Sequence, residues 1–321
     1  MHGQKIRLWL SGVSLLIIVV GLLYWRHNQI QKKVQFYVSE LDHMYLKNRD
    51  EAQSALLRIG RPAIPPLIRS LKHERPRTRI LAAKLLGELK ATSAIPGLIP
   101  MLRDKYVEAR WNAVESLGKI GHPSAIDSLV SVADDPSIKK EIVEALKKID
   151  PRLAALSLKR MLKVKKDEQS LIQGLWILGQ VSQLEEKEFL RGYLEDTNFQ
   201  VQKQATYVLA EVGDTLAVSN LDAYLRNTDV LVRYQSFLYR SPYTDSADIP
   251  LLLTLLKDDY LRFEVMRILY NYVDLSMADS LVMYLNDPKP ETRLLITKSL
   301  TKISGKNFGF NQAQWKSYFK K

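Results

Sequence analysis

The sequence contains no cysteine and only five histidines among its 321 residues. Without cysteine the chain has no disulfide framework, no thiolate metal site and no cysteine nucleophile. The histidines are scattered, and no two of them have the spacing of a metal-ligand pair. A glycine-rich phosphate loop, a nucleophile elbow and an H-E-x-x-H helix are also missing. The sequence therefore predicts that the protein is not an enzyme and has no catalytic, cofactor-binding or metal-binding residues.

Acidic residues are missing from both ends of the chain. Residues 1–33 contain five Lys or Arg, residues 298–321 contain six, and neither segment contains Asp or Glu. The body between them, residues 34–297, has 36 basic and 35 acidic residues, so the net charge of +12 comes almost entirely from the two ends. A domain that follows nucleic-acid phosphates along its length carries its excess charge in the body. The charge pattern therefore disfavours a nucleic-acid partner.

Within the body, basic residues concentrate in one segment. Residues 58–110 carry twelve Lys or Arg and four Asp or Glu. Cations near an anionic lipid surface gain about 1 kcal/mol each. We therefore expect Arg75, Arg77 and Arg79 to contact a membrane surface, and a solvated helix face is the alternative interpretation.

The chain has one long uncharged apolar run, residues 8–25. With Ile6 it amounts to about 20 apolar residues, enough for the roughly 30 Å of a hydrocarbon core. Trp9 and Trp25 stand at its ends, where aromatic side chains favour the lipid interface. A cleaved signal peptide is the alternative, but no small-x-small site follows the run. The pattern predicts an N-terminal tail and transmembrane anchor over residues 1–27. The protein would then be a single-pass protein of a bacterial inner membrane, with its main part outside the cytoplasm.

The segment after this run has the pattern of an amphipathic helix. Val34, Val38, Leu41 and Tyr45 follow one another at helical spacing, with charged and polar residues between them. We interpret residues 28–48 as a connecting helix that caps the first repeat, because a terminal repeat needs such a cap. Dimerisation through a coiled coil is the alternative.

A leucine recurs every 29 to 32 residues along the rest of the chain, and we use it to mark the repeat. A period in this range is typical of stacked helical repeats. In each unit an amphipathic helix contains the leucine and a shorter helix follows, and no segment shows sustained period-two alternation. The sequence thus predicts an all-α chain. The marker leucines are Leu56, Leu86, Leu117, Leu146, Leu178, Leu209, Leu238, Leu269 and Leu300.

These units resemble HEAT repeats, in particular the short bacterial type known from phycobilin lyase subunits. The resemblance covers residues 49–305 and implies an α-solenoid of about nine HEAT-like helical hairpins, preceded here by a single transmembrane helix. It rests on an Ala-x-x-x-Leu-Gly ending of the first helix and an Ile-Pro start of the second: Ala82 with Leu86-Gly87, Ala113 with Leu117-Gly118, Ile64-Pro65 and Ile95-Pro96.

In five units a basic residue stands seven positions before the marker leucine. In two of these units an acidic residue stands six positions before the basic residue. The resemblance implies that such residues form a ladder along the turns between repeats. A ligand-binding row of arginines is the alternative. The basic residues are Arg79, Arg110, Lys139, Arg262 and Arg293, and the acidic ones are Asp104 and Asp287.

Aromatic residues are enriched toward the C-terminus. In residues 306–321 we expect the rings of Phe308, Phe310, Trp315 and Phe319 to form an aromatic cap, followed by a basic tail, with a ligand pocket as the alternative. Tyrosines outside the slots shared by the repeats are candidates for a partner groove, because tyrosine is frequent at binding hot spots. Core packing is the alternative for these tyrosines, which are Tyr234, Tyr239, Tyr243 and Tyr270.

Together these features predict a membrane-anchored, non-catalytic scaffold that binds a protein or peptide along the row of second helices. Its second partner would be the lipid bilayer, through residues 8–25. No cofactor is expected. Two alternatives stay open: an enzyme subunit of the phycobilin-lyase type, which the resemblance implies, and a helical-repeat protein that binds nucleic acid.

Overall fold

The computed structural model of the protein describes residues 2–165, 167–182 and 186–320, with side chains described from residue 18 onward. Within these ranges the chain forms α-helices, short 3₁₀ turns and loops, and no β-strand. This confirms the predicted all-α fold built from helical repeats. The helices form two compact units, Met1–Glu186 (unit 1) and Lys187–Lys321 (unit 2).

Unit 1 begins with a long helix, continues with four helical hairpins and ends with a single helix in its described part. Its helices are α1 (His2–Glu40), α2 (Leu46–Ile59), α3 (Ile64–Ser70), α4 (Pro76–Glu88), α5 (Ile95–Leu98), α6 (Val107–Ile120), α7 (Ile126–Val130), α8 (Lys139–Ile149), α9 (Pro151–Val164) and α10 (Glu168–Ser182). The first helices of its hairpins are α2, α4, α6 and α8, and the second helices are α3, α5, α7 and α9.

Unit 2 repeats the hairpin plan after one short helix. Its described helices are α11 (Lys187–Arg191), α12 (Phe199–Glu211), α13 (Thr215–Tyr224), α14 (Val230–Arg240), α15 (Ile249–Leu255), α16 (Arg262–Leu269), α17 (Ala278–Val282), α18 (Pro290–Ser304) and α19 (Gln312–Phe319). Here the first helices of the hairpins are α12, α14, α16 and α18.

The marker leucines form the centre of the core, with one exception. Eight of them are completely buried, whereas Leu238 is 45% exposed. Its choice as a marker is wrong because the buried face of α14 carries Val232, Ser236 and Phe237 instead. Arg240, one helical turn after Phe237, stands where the other repeats have their marker leucine. Its side chain is 12% exposed and forms ion pairs with Asp222 and Asp248.

The first helices of unit 1 approach one another closely where a glycine follows the marker leucine. A Cβ atom at Gly87 of α4 would lie 2.8 Å from the Cα of Ser116 on α6. A Cβ atom at Gly118 of α6 would lie 3.0 Å from the Cα of Ala145 on α8. The Leu-Gly motif therefore has a packing reason: only glycine leaves room for the backbone of the next first helix.

The predicted transmembrane anchor over residues 8–25 is wrong. Among the helices of the described ranges, none combines the length and the apolarity that a membrane crossing requires. The apolar run is part of the longer helix α1, and the side chains of residues 8–17 lie outside the described residues. The predicted location as a single-pass protein of a bacterial inner membrane is wrong for the same reason.

The C-terminal part of α1 packs against the first hairpin. Val34 and Leu41 are completely buried, and α1 contacts both α2 and α3. Just after the helix, Asp42 accepts a hydrogen bond from Thr78 Oγ1 at 3.0 Å. Of the apolar face predicted for residues 28–48, Val34 and Leu41 cover hydrophobic surface of the first repeat, whereas Tyr45 lies beyond α1 and is 63% exposed.

The C-terminal aromatic residues surround a buried tryptophan. Trp315 on α19 is completely buried, and its Nε1 donates to the carbonyl of Gly309 at 2.8 Å. Phe308 meets it edge to face at a centroid distance of 4.8 Å, and Phe319 stacks on it at 5.8 Å. These rings join the hydrophobic core formed by α14 to α18.

Candidate docking groove

A ladder of arginines connects the turns between successive repeats. Arg79, in the first turn of α4, donates from Nε and NH2 to the two carboxylate oxygens of Asp104 at 2.8 and 2.9 Å. Its NH1 donates to the carbonyl oxygens of His73 and Glu74 at 2.8 and 2.9 Å. One guanidinium group therefore fixes its own turn and holds the carboxylate of the next one, the bidentate geometry for which arginine is suited.

The same pairing recurs in both units, at Arg110 with Asp135, Arg233 with Asp258, and Arg262 with Asp287. Burial opposes ionisation of Asp258, but the hydrogen bond and charge of Arg233, together with hydrogen bonds from the backbone N–H groups of Tyr260 and Leu261, outweigh it and lower the pKa of its carboxyl group. These contacts confirm the ladder predicted for Arg79, Arg110 and Arg262. The other two predicted members differ.

Lys139 and Arg293 have no carboxylate partner among the described residues. The Lys139 ammonium lies 4.7 Å above the ring of Trp176. Arg293 donates to the carbonyls of Asp287 and Pro288 at 2.7 and 3.2 Å, and its guanidinium lies 5.5 Å from the centre of the Phe310 ring.

Sequence reasoning missed two ladder residues. Arg233 was missed because it lies seven positions before Arg240, and not seven positions before Leu238, which was wrongly chosen as the marker of this repeat. Arg49 lies seven residues before Leu56, so the rule that identified the others also selects it. Its NH1 donates to the carbonyls of His43 and Met44 at 2.8 and 2.9 Å, as that of Arg79 does one repeat later.

Arg49 differs from Arg79 in that no carboxylate of the described residues pairs with it. His73 stands six positions before Arg79 in the same place of the turn as Asp104, which stands six positions before Arg110. Glu74, 25 positions after Arg49, is exposed and forms no ion pair with Arg49 among the described residues. Asp104 Oδ1 accepts from the backbone N–H of Tyr106 at 3.0 Å, and His73 Nδ1 accepts from that of Arg75 at 3.2 Å. Histidine thus keeps the local turn contact but supplies no negative charge to the arginine.

Beside Arg49 lies a cavity of about 590 Å³, the first-helix groove, which α2, α4 and the start of α6 enclose. Ile80 and Leu81 of α4 are half-buried in its floor, whereas Leu46 and Val107 are exposed at its mouth. The groove therefore combines an apolar floor with solvent access.

The groove lies at the pair of first helices that lacks the glycine contact. In α4 the marker Leu86 is followed by Gly87. In α2 the marker Leu56 is followed by Leu57, whose side chain is 39% exposed. A leucine side chain there occupies space that glycine leaves to the neighbouring helix. We attribute the opening between α2 and α4 to this difference. The leucine at position 57, in place of a glycine, is also the sequence signal that could have located the groove.

Cations outnumber carboxylates around the groove. Arg77 and Lys84 are exposed, stand seven residues apart on the same face of α4, and form no ion pair with any described residue. Asp50 and Glu108 lie at the rim. With Arg49, the groove has three positive and two negative side chains.

The arginines predicted to contact a membrane have three different surroundings. Arg75 is exposed and pairs with Asp42 at 2.8 Å. Arg77 lines the groove, and Arg79 is withdrawn into the ladder with its side chain 11% exposed. Contact of these residues with a membrane surface stays a prediction.

The tyrosines predicted to line a partner groove are packed in unit 2. Tyr239 stacks on Tyr207 with ring centres 4.6 Å apart, and burial, together with the Glu211 carboxylate, raises the pKa of Tyr239 to about 12. The Tyr243 hydroxyl donates to the carbonyl of Ala210 at 2.7 Å. Tyr234 packs against the hydrophobic core.

The fourth of these tyrosines, Tyr270, lies under the Lys302 ammonium, 4.8 Å from its ring centre. The contacts of the four residues do not bring them to one common cavity among those described. Their role in binding a partner stays a prediction.

The second helices of unit 1, which we predicted to bind the partner, border two smaller cavities of about 440 and 420 Å³. Both share Leu156 of α9, which is 52% exposed. Arg160 at the edge already pairs with Asp127 at 2.9 Å, so that charge is balanced within the chain. Across the described residues we find no group of three or more His, Asp or Glu side chains that could hold a metal ion.

Comparison with solved structures finds helical-repeat proteins of low sequence identity. An engineered protein aligns with a TM-score of 0.37 and 17% identity, covering 89% of this chain and 92% of the other. The CpcE–CpcF complex of phycocyanin lyase from Nostoc sp. gives 0.30 and 17%, covering 89% and 94%. Human deoxyhypusine hydroxylase gives 0.33 and 20%, covering 86% and 98%. At these TM-scores and identities the likenesses carry no conclusion about function.

Comparison with curated proteins finds no matching relative. A family model described as HEAT repeats matches residues 34–108 and residues 95–176. The matched residues contain the hairpins α2 to α9 and the first part of the arginine ladder. The match identifies residues 34–176 as HEAT repeats.

Proposed function

We propose that this protein is a non-catalytic docking scaffold that binds a protein partner in the first-helix groove. The observation that carries the proposal is the groove itself, a cavity of about 590 Å³ across the first helices of three successive repeats. This places the partner on first helices rather than on the row of second helices that the sequence suggested.

The mouth of the groove has the composition of an interaction surface. Leu46 is 63% exposed, Val107 48% and Tyr106 43%, and all three line the cavity. Contiguous exposed apolar side chains bordered by charges are typical of protein-binding surfaces, and tyrosine is frequent among binding hot spots. Two of the surrounding helices, α4 and α6, are held together by the Gly87 contact and by the pair of Arg79 with Asp104.

The residues of the groove favour binding over catalysis. Its described lining includes no serine, threonine or histidine that could act as a nucleophile or as a general base near neutral pH. The charged groups that remain are suited to recognising charge on a partner.

Site-specific photo-crosslinking in the full chain tests the proposal. A photoreactive residue replaces Ile80 in the floor of the groove, and in a control protein it replaces Lys148, which is exposed on α8 and does not line the cavity. We expect irradiation in a native extract to attach a defined protein at position 80 and not at position 148. The same adducts at both positions, or none at position 80, would refute the proposal.

A further inference from the structure

We infer that the first-helix groove receives an acidic segment of the partner, one carboxylate of which pairs with Arg49 as Asp104 pairs with Arg79. The inference rests on the proposed function and deepens it by naming the chemistry of the partner. It depends on four features of the groove: a ladder position without its carboxylate, a histidine in place of the aspartate, two further unpaired cations, and an apolar floor.

The orientation of Arg49 is already fixed. Its NH1 is held by two backbone carbonyls at 2.8 and 2.9 Å, the same distances as in Arg79. The guanidinium is planar, so this contact also directs the edge formed by Nε and NH2. In Arg79 that edge binds Asp104, whereas in Arg49 no described carboxylate reaches it. A bidentate carboxylate site is therefore prepared on the wall of the groove.

The missing charge is specific to this turn. His73 occupies the position of Asp104 and makes the equivalent turn contact, with its Nδ1 accepting from the backbone N–H of Arg75. The substitution removes one carboxylate from the ladder without removing the turn. A carboxylate from outside the chain can take its place, and charge-assisted pairs of this kind are among the stronger hydrogen bonds in proteins.

The rest of the groove suits an acidic segment with an apolar residue inside it. Arg77 and Lys84 flank Ile80 and Leu81 along one face of α4. Acidic side chains of a bound segment would meet these cations, while an apolar side chain between them would lie on the floor. The excess positive charge of the body of the chain is concentrated in this region, because residues 58–110 carry twelve Lys or Arg and only four acidic residues.

The rim distinguishes a protein segment from a nucleic acid. Asp50 and Glu108 face the groove from its two sides. The neutral backbone of a peptide has N–H groups that can donate hydrogen bonds to these carboxylates, whereas the backbone of a nucleic acid presents a phosphate at every nucleotide, which they repel. The geometry therefore favours an acidic peptide.

The first experiment restores the ladder within the chain. His73→Asp places a carboxylate before Arg49, and His122→Asp is the matched control, because His122 Nδ1 also accepts a backbone N–H two residues on, from Ser124, but lies in a turn without a ladder arginine. Binding of short fluorescein-labelled peptides that alternate glutamate and leucine is followed by anisotropy, with glutamine-leucine peptides as the uncharged comparison. We expect the wild type and His122→Asp to prefer the glutamate peptide, and His73→Asp to lose about tenfold in affinity and to melt at a higher temperature.

The second experiment tests the outer cations. Lys84→Glu changes a charge in the groove, and Lys148→Glu makes the same change at an exposed position outside it. We expect only the first to weaken binding of the glutamate peptide, and the difference to shrink at high salt.

The results separate this inference from the proposed function. Equal affinity for glutamate and glutamine peptides, unchanged binding by His73→Asp, or stronger binding of a single-stranded oligonucleotide than of the glutamate peptide would each overturn the inference. A protein crosslinked at position 80 together with any of these results would leave the proposed function standing. If crosslinking also fails, both are refuted.

Discussion

Neighbouring first helices meet through small residues in unit 1 and through tyrosines in unit 2. In unit 1 Gly87 faces Ser116 across the interface of α4 and α6, and the Ser116 hydroxyl donates to the carbonyl of Ala83 at 2.8 Å. In unit 2 Tyr207 of α12 stacks on Tyr239 of α14, and its hydroxyl lies 3.1 Å from that of Ser236. Both units use the arginine ladder at their turns. One repeat plan thus tolerates two kinds of helix interface as long as the turns are fixed.

The family match lies entirely within unit 1 and ends at residue 176. The matched residues, 34–176, lie in unit 1, where Leu-Gly motifs create close helix contacts. In unit 2 the residue after the marker is alanine, tyrosine or threonine at positions 210, 270 and 301. The ladder and the hairpins continue there, but the interface residues depart from the pattern.

The largest effect is expected at the ladder pair that is most deeply buried, in unit 2. Arg262 and Asp287 are 7% and 5% exposed. Arg262→Ala leaves a buried carboxylate without its partner, which typically costs about 3–5 kcal/mol. Hydrogen exchange of peptides from α16 to α18, read by mass spectrometry, measures the loss of local stability. The control is Arg267→Ala, an exposed pair with Glu264 for which we expect a cost below about 1 kcal/mol. Equal losses in the two variants would show that the ladder is not what stabilises unit 2.

The next effect tests the small-residue interface of unit 1. Gly87→Ala forces a methyl group to within 2.8 Å of the Ser116 backbone, and overpacking of this kind costs about 1–3 kcal/mol. Gly21→Ala is the control, because a Cβ there meets no atom within 4 Å and alanine favours a helix. Urea denaturation should show a lower midpoint for the first variant alone. An unchanged midpoint would remove the reason for the Leu-Gly motif given above.

A smaller effect should appear in unit 2 at alkaline pH. Burial and Glu211 raise the pKa of Tyr239 to about 12, above the value near 10 of an unfolded tyrosine. The resulting stability is fully present below about pH 10 and is lost as the pH rises through about 12. With a discount for partial exposure we expect about 1–2 kcal/mol. Tyr239→Phe should therefore flatten the fall in melting temperature between these pH values, and parallel curves for the two proteins would contradict the assignment.

The smallest effect belongs to the second-helix face of unit 1. Arg160 and Asp127 pair at 2.9 Å, but their side chains are 72% and 73% exposed. Exposed pairs contribute up to about 1 kcal/mol and many contribute nothing measurable. Arg160→Ala should leave the urea midpoint within error of the wild type. A clear loss would mean that this face is more important for stability than its exposure indicates.

The repeat was predictable because burial follows helical periodicity. Eight marker leucines followed from spacing alone, and the ladder at Arg79, Arg110 and Arg262 followed from the resemblance to HEAT repeats. The ninth marker failed because Arg240 fills a leucine position by pairing with Asp222 and Asp248, a substitution that no apolar pattern reveals. The predicted membrane anchor failed because no helix of the described residues is both long and apolar enough to cross a membrane.

The groove was not predicted because it depends on differences between repeats rather than on what they share. Averaging the units hides a leucine at position 57 where glycine follows other markers, and a histidine at position 73 where aspartate follows one repeat later. Each difference is visible in the sequence once the contacts of Gly87 and Asp104 are known. The consequence of the two differences came from the structure, which shows that Arg49, the arginine without a carboxylate partner, lines a cavity.

The arginine ladder also explains why the period of the repeat is uneven. In all four arginine–aspartate pairs the two residues stand 25 positions apart. From the aspartate to the basic residue at the next ladder position the distance is either six positions, as in Asp104 to Arg110, or four, as in Asp258 to Arg262. Insertions and deletions are thereby confined to one short stretch per repeat. A designer who wishes to lengthen this protein, or to graft a loop onto it, has that stretch as the permissive site, and the other 25 positions as a module to be copied whole.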